Sequence, residues 1–246
     1  MDIPSRFSIP KDLRKRILFT IGVLVLYRVG VQIPVPGVDQ NAVIEAFSQR
    51  GGGIFGLLNT FTGGAMEQFS ILSLGILPYI TASIIFQLLQ TGVPYLEQLK
   101  KEGESGRRKI TQYTRYATAG LAVFQGYGLS QGFYGQEGII AMSYFGFIPF
   151  KVFAILTLTA GACLLMWLGE QINEKGVGNG ASLLIFAGIA AAIPSGTVNL
   201  FRMIQGGELT GGVGLVLVGF MLLVVGVIIF LETGQRRIVV QYSQRA

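Results

Sequence analysis

The chain has 246 residues, of which 51% are hydrophobic and only 13% charged, with a net charge of +6. Soluble domains carry about 25% charged residues, so this composition, with its long uncharged runs and mean hydropathy of +0.57, excludes an ordinary soluble protein and points to one integral to a membrane. There is no His and a single Cys, Cys163, which excludes imidazole chemistry, an internal disulfide and a His- or Cys-cluster metal site.

The opening stretch MDIPSRFSIPKDLRKR is polar and basic for too long to be a cleaved leader. The apolar run behind it is therefore expected to stay as a signal anchor. A spanning helix needs about 20 mostly apolar residues. Six stretches qualify: Ile17–Ile33, Phe69–Leu89, Tyr113–Gln131, Phe145–Leu168, Ala181–Phe201 and Gly212–Leu231. Pro34 and Pro36 stop the first. Pro78 sits inside the second. Gln125, Gly126 and Gly128 dilute the third, which holds as a helix only if packed in protein. Cys163 lies in the fourth and reads as a small buried hydrophobe. Pro194 kinks or ends the fifth. Ahead of the second span lies Ile54–Met66, apolar but too short to cross and broken by Gly63-Gly64. Broken backbone at membrane depth is tolerated only where protein or a water-filled cavity surrounds it. This stretch thus predicts a cavity with something short sitting in it.

Placing the N-terminus in the cytoplasm puts most of the 19 basic residues on one side, so both termini are expected there. The most charged segment, Leu96–Arg115, joins the second and third spans. It reads either as a lipid-facing loop, worth about 1 kcal/mol per basic residue near an anionic leaflet, or as a docking surface for an acidic or phosphate-rich partner. Its Gly103–Gly106 run is read as a turn. Arg28 and Lys151 interrupt apolar runs near the outer ends of their spans, where reaching for the headgroups is the expected solution. No Asp or Glu lies mid-span, which argues against an ion-coupled carrier. Gly176–Gly180 resembles a phosphate loop only superficially, because no strand precedes it and no Lys-Ser/Thr follows. A tight turn into the fifth span is the better reading. No Ser/His/Asp, Cys/His or paired-carboxylate arrangement is present, so an enzyme is not expected. The 35 glycines, among them Gly188 in a span that also carries Ala187, Ala190, Ala191 and Ala192, and Gly212, Gly219 and Gly226 on one face of the sixth span, suggest tight helix packing. From the residues alone, a channel and a membrane scaffold both remain open.

Four segments carry a resemblance: KKEGESGRRKITQYTRY (Lys100–Tyr116), MWLGEQINEKGVGNGASLLIFAGI (Met166–Ile189), LGILPYITASIIFQLL (Leu74–Leu89) and ETGQRRIVVQY (Glu232–Tyr242). In this order they resemble the bacterial SecY family, whose members form the centre of the Sec protein translocase. The resemblance implies an all-α polytopic membrane protein, part of a ten-helix inverted-repeat channel. This chain would supply six transmembrane helices and a short plug helix. Residues 1–206 would hold five helices and the plug, and residues 207–246 the sixth helix and the start of a cytoplasmic loop, with the C-terminal remainder absent. The implied function is passage of unfolded polypeptides across, and lateral release into, the bacterial plasma (inner) membrane, driven by the ribosome or the SecA motor. By itself the chain is expected to be incomplete. A solute transporter or a non-conducting scaffold is the alternative.

The resemblance also assigns roles. The plug would comprise Phe55, Gly56, Leu57, Leu58, Asn59, Thr60, Phe61, Thr62, Gly63, Gly64, Ala65 and Met66. Phe69–Leu89 would line the pore and form one side of a lateral gate. Ile76, Ile80, Ala181 and Ile185 would belong to an aliphatic pore ring, locally wider at Ala181. Thr81, Gln87 and Gln125 would give the gate a polar lining. Arg236 and Arg237, supplemented by Lys100, Lys101, Arg107 and Arg108, would dock the ribosome or SecA, Arg being suited to phosphate. Further implied partners are SecE, SecG, a preprotein or nascent chain with its signal sequence, membrane lipids and the missing C-terminal half. No cofactor and no metal are implied.

Overall fold

An apolar run in lipid must satisfy its backbone internally, and helix is the local way to do so. The computed structural model, which describes residues 10–50, 53–134, 140, 144–207 and 209–234, is accordingly helical. In chain order its elements are α1 (Lys11–Val31), α2 (Gln40–Arg50), α3 (Ile54–Thr62), α4 (Leu77–Gly92), α5 (Pro94–Lys101), α6 (Glu104–Tyr134), β1 (Tyr144–Phe145), β2 (Ile148–Pro149), α7 (Phe150–Lys175), α8 (Gly180–Gln205) and α9 (Gly211–Thr233). Among the described residues, three helices, α7, α8 and α9, are long and apolar enough to cross a membrane by length and composition. Charges within α1 and the Gln125–Gly128 region of α6 dilute those two.

Four expectations change. The second span is not helical from Phe69: Phe69–Ile76 is a run of buried turns, and the helix starts at Leu77. Pro78 therefore sits in the first turn of α4, where its missing N–H costs nothing, rather than mid-helix. At 16 residues α4 is ~24 Å long, short of the ~30 Å hydrocarbon core. The fourth span begins at Phe150, because a two-residue hairpin pairs Tyr144 with Pro149 and Phe145 with Ile148 ahead of it. Pro194 does not end α8, which runs on to Gln205. The charged Leu96–Arg115 segment is not a loop. Val93, pushed out of helical conformation by the following Pro94, separates α4 from α5. The chain then turns at Gly103 (φ 73°) and enters α6 at Glu104. Leu96 and Leu99 bury against Ile110, with Phe86 alongside. Gly106 is required here, because a Cβ would run into the carbonyl oxygen of Leu99.

The chain divides into two compact units, residues 1–192 and 193–246. In the first, α6 and α7 pack antiparallel. Arg115, early in α6, clasps Glu170, late in α7, through Nε to Oε1 at 2.9 Å and Nη2 to Oε2 at 2.8 Å. At the other end Lys151 donates to Gln131 and stands 4.4 Å over the Tyr127 ring. Lys151 is thus held by protein partners rather than left to reach for headgroups. Gly126 lies against Ile155 and Leu158, so the diluted third span is a helix because α7 covers it. At the far end of α7, Val177 N donates to Thr20 Oγ1 of α1 at 3.1 Å. Asn179 Oδ1 then accepts from Ala181 N at 3.1 Å and starts α8, which bears out the tight turn read at Gly176–Gly180. One apolar cluster gathers Val23, Tyr27, Val31, Leu72, Ile76, Leu165, Leu168, Ile172 and Leu184. A second gathers Val35, Val43, Phe69, Leu74, Phe150 and Leu158. In the second unit Ile204 packs on Gly214. Gly212, Gly219 and Gly226 have nothing within 4 Å, so the glycine face of α9 packs on nothing among the described residues.

Two predictions follow from these contacts. The Glu170 side chain is only 10% exposed while that of Arg115 is 49% exposed. Arg115→Met should cost about 1–3 kcal/mol by stranding a buried carboxylate. Glu170→Gln should cost less, since the half-exposed guanidinium can turn to water. Thermal unfolding in detergent checks the order, and equal losses would count against it. A Cβ at Gly161 would meet the backbone carbonyl of Ile71. Gly161→Ala should therefore lower stability by about 1–3 kcal/mol in the same assay, whereas Gly219→Ala should not.

Candidate functional site

The segment from Ile54 to Ile76 is where irregular backbone is buried, so its polar groups can be accounted for one by one. The helix α3 (IFGLLNTFT) contains no charge and ends at Gly63 (φ 68°) and Gly64 (φ 87°). Both glycines adopt the left-handed conformation that lets Gly63 N bond Thr60 O at 3.1 Å and Gly64 N bond Asn59 O at 2.9 Å, the reciprocal closure of a Schellman turn. The carbonyls of Thr62 and Gly63 are then left over. Tyr27 Oη donates to the first at 2.9 Å, and Arg28 Nη1 to the second at 2.8 Å. Arg28 therefore serves the end of the short helix, and the expectation that it reaches for headgroups does not hold.

The following residues are tied just as fully. Asn59 accepts from Glu67 N at 3.0 Å on Oδ1 and donates to Glu67 Oε2 at 3.1 Å through Nδ2. Ser70 Oγ donates to Gly30 O at 3.0 Å, and Ser73 Oγ to Ala65 O at 2.8 Å. Ile71 N bonds Ile33 O at 3.0 Å and Val35 N bonds Phe69 O at 2.9 Å. Phe69 is held at φ 44°, costly for a bulky residue. It is buried, with its ring edge-on to Phe133 at 4.9 Å. On the other side lies α8. A Cβ on Gly188 would stand 2.9 Å from Phe61 O and 3.3 Å from Tyr27 Oη, so the small residues of the fifth span let a helix backbone approach the end of α3.

The four ring candidates come together. Ile76 is 5% exposed within the first cluster, and Ile80, Ala181 and Ile185 are half-buried against it. The gate candidates do not. Thr81 and Gln87 are exposed on α4, with Gln87 Nε2 3.4 Å from Ser83 Oγ, and Gln125 is half-buried on α6. Of the docking candidates, Lys100 and Arg107 are exposed. Lys101 pairs with Glu97 at 2.7 Å and Arg108 with Glu104 at 2.8 Å. Arg107, Arg108 and Arg115 line an open groove of about 610 Å³ with Glu104 and Glu174. Arg236 and Arg237 lie outside the described residues. Among the described residues no cluster of His, Cys, Asp or Glu could hold a metal ion. Sequence reasoning did not find Tyr27, Ser70 and Ser73, and it named Asn59 without its bond to Glu67. The signals were a charge inside an apolar run, Arg28, and a glycine pair, Gly63-Gly64, but Arg28 and Gly63 lie 35 residues apart in sequence.

The sequence profile of the SecY family matches residues 70–246. The chain is 47% identical over 245 residues to a protein translocase subunit SecY of Pseudomonas aeruginosa, covering 95% of this chain and 52% of that protein. It is 44% identical over 234 residues to that of Escherichia coli, covering 95% and 53%. The chain thus spans about half the length of these curated relatives. Among solved structures it resembles one described as a protein conducting channel and another as Sec61 in a canine ribosome-channel complex from the endoplasmic reticulum. Each superposes with a TM-score of 0.58 at 20% identity over 84% of this chain and 44% of the other, a likeness of fold.

The Asn59 bracket offers a direct check on the site. Asn59→Asp would lose the donor to Glu67 and place two carboxylates together. The amides of residues 63–67 should then exchange hydrogen about tenfold faster, as expected for one lost bond plus repulsion. Unchanged exchange would contradict the geometry.

Proposed function

The chain belongs to the SecY family, and from that premise we propose that it forms part of the wall of a passive protein-conducting channel. The observation that carries this is the seating of α3 and its irregular continuation on α1 and α8, next to the cluster where Ile76, Ile80, Ala181 and Ile185 meet. In this reading α3 is the plug. The four aliphatic side chains are this chain's share of a constriction, narrow enough to dewet and exclude ions yet soft enough to yield to a peptide. Thr81 and Gln87, exposed on α4, make the gate seam less apolar and so less costly to part. The buried carboxylate of Glu170 is committed to Arg115, which suits a structural pair better than an ion-coupling site.

The proposal extends to surroundings. The channel sits in the bacterial plasma membrane with both termini cytoplasmic. It takes its energy from the ribosome or SecA and is clamped by SecE with SecG at its side. This chain hydrolyses no nucleotide. Arg236 and Arg237 dock the ribosome or motor, supplemented by Lys100, Lys101, Arg107 and Arg108. The similarly folded canine Sec61, seen in a ribosome-channel complex, supports that partner.

Two experiments test the reading. Deleting residues 55–66 from the reconstituted full-length channel should raise its resting ion leak, recorded across a planar bilayer. An unchanged leak removes the plug assignment. Arg236→Glu with Arg237→Glu should weaken ribosome or motor binding, and the effect should shrink between low and high salt because exposed charges are screened over about 10 Å at 0.1 M. Equal binding at low salt would count against docking at these residues.

A further inference from the structure

The attachment of α3 is uneven along its length. Its body presents apolar side chains outward, with Leu57 64% and Phe61 44% exposed. Its N-cap is Gly53, which has no side chain with which to cap the first turn. The C-terminal end is different. Thr62 is buried, and the Tyr27 hydroxyl that reaches its carbonyl belongs to a side chain only 2% exposed. Beside it the Arg28 guanidinium holds the Gly63 carbonyl. These are the acceptors a helix leaves unsatisfied at its C-terminus, where its dipole is negative and a cation is favoured. Arg28 stands inside an apolar run, so its charge is kept there at a cost, and the bond to Gly63 is what it obtains in return. Downstream the chain is anchored separately, by Ser73 Oγ on Ala65 O and by Ser70 Oγ on Gly30 O. Between the two lie Gly63 and Gly64, both at positive φ, with nothing within 4 Å of a Cβ at Gly64.

We propose that Tyr27 and Arg28 are a latch, a pair of positioning residues on α1 that set how readily α3 swings from its seat about a Gly63–Gly64 hinge. The proposal rests on the plug reading only for its consequence in ion leak; the latch itself is a statement about α3 in this chain. Opening breaks the two directional bonds to consecutive carbonyls and, across the hinge, the Asn59–Glu67 pair, and leaves the Ser70–Ser73 anchor in place. The seat is therefore released at one end as a unit, while the apolar cluster around Ile76 stays packed. Tyr27 contributes a neutral bond in a dry setting and Arg28 a charge-assisted one, the stronger kind.

The test uses the full-length channel complex in lipid nanodiscs, with Tyr27→Phe, Arg28→Gln and Arg28→Lys. Amide hydrogen exchange of residues 56–62 is compared with that of α6 and α7. Tyr27→Phe and Arg28→Gln should each speed exchange in residues 56–62 by about 5- to 20-fold and leave α6 and α7 unchanged. Arg28→Lys, which keeps a cationic donor, should restore part of the protection. Unchanged exchange in residues 56–62 overturns the latch. So does acceleration shared by α3, α6 and α7, which would mean a merely structural role. Ion leak of the same variants separates the two readings. Faster α3 exchange without a rise in leak supports the latch while refuting the plug. A rise in leak on deleting residues 55–66, with no effect of the latch variants on exchange, does the reverse.

Discussion

The structure depends on one constraint: the backbone of Gly63–Ile76 is buried without being helical, so each of its polar groups needs a partner from elsewhere. The chain meets this with α1. Tyr27, Arg28 and Gly30 in its last two turns, and Ile33 just past its end, present a hydroxyl, a guanidinium and two carbonyls to the irregular segment. Within the segment, Ser70 Oγ accepts from Leu72 N and Ser73 Oγ donates to Ser70 O. Among the described residues no buried side-chain nitrogen or oxygen is left without a partner. With that segment fixed, α4 can begin at Leu77, and Ile76 is delivered into the cluster it shares with Leu184 of α8.

Cohesion elsewhere follows from the solvent. Lipid tails are as apolar as Leu, so helices in a bilayer gain from close approach and polar contacts rather than from hiding apolar surface. The contacts reflect this. Gly126 admits Leu158, Gly161 admits the Ile71 carbonyl, and Gly188 admits the end of α3. The Arg115–Glu170 fork and the Lys151–Gln131 bond stand at opposite ends of the α6–α7 pair. Both polar ties hold helices that also touch through small residues, so neither must carry the interface alone.

Several features were legible from residue pattern. The broken stretch ahead of the second span, the tight turn at Asn179 and the need for protein cover around Gly126 all follow from local rules about glycine, capping and hydropathy. Others were not, and the reasons differ. An uninterrupted apolar run from Phe69 to Leu89 satisfies a length criterion whether or not its first third is helical; what removes Phe69–Ile76 from the helix is a set of bonds to α1 that no window over the run contains. Pro78 looked like an interruption because the helix start was misplaced. Pro194 does not end α8, so of the two local expectations the termination is the one that fails. Leu96–Arg115 looked like a loop because it is charged, yet three apolar residues at the right spacing, Leu96, Leu99 and Ile110, fold it back on itself. The resemblance carried by four motifs named the expected ring and plug positions; it did not single out Tyr27, Arg28 or Asn59 as the residues that hold α3 and its continuation.

By itself the sequence determined the solvent, the helical class, the family and the place where the chain breaks, because hydropathy, helix length and glycine punctuation act over a few residues at a time. The tertiary structure alone decided what Arg28 is for. A charge in an apolar run is unfavourable until it finds a partner, and that partner, the carbonyl of Gly63, lies 35 residues away and 2.8 Å distant only once α3 has been seated.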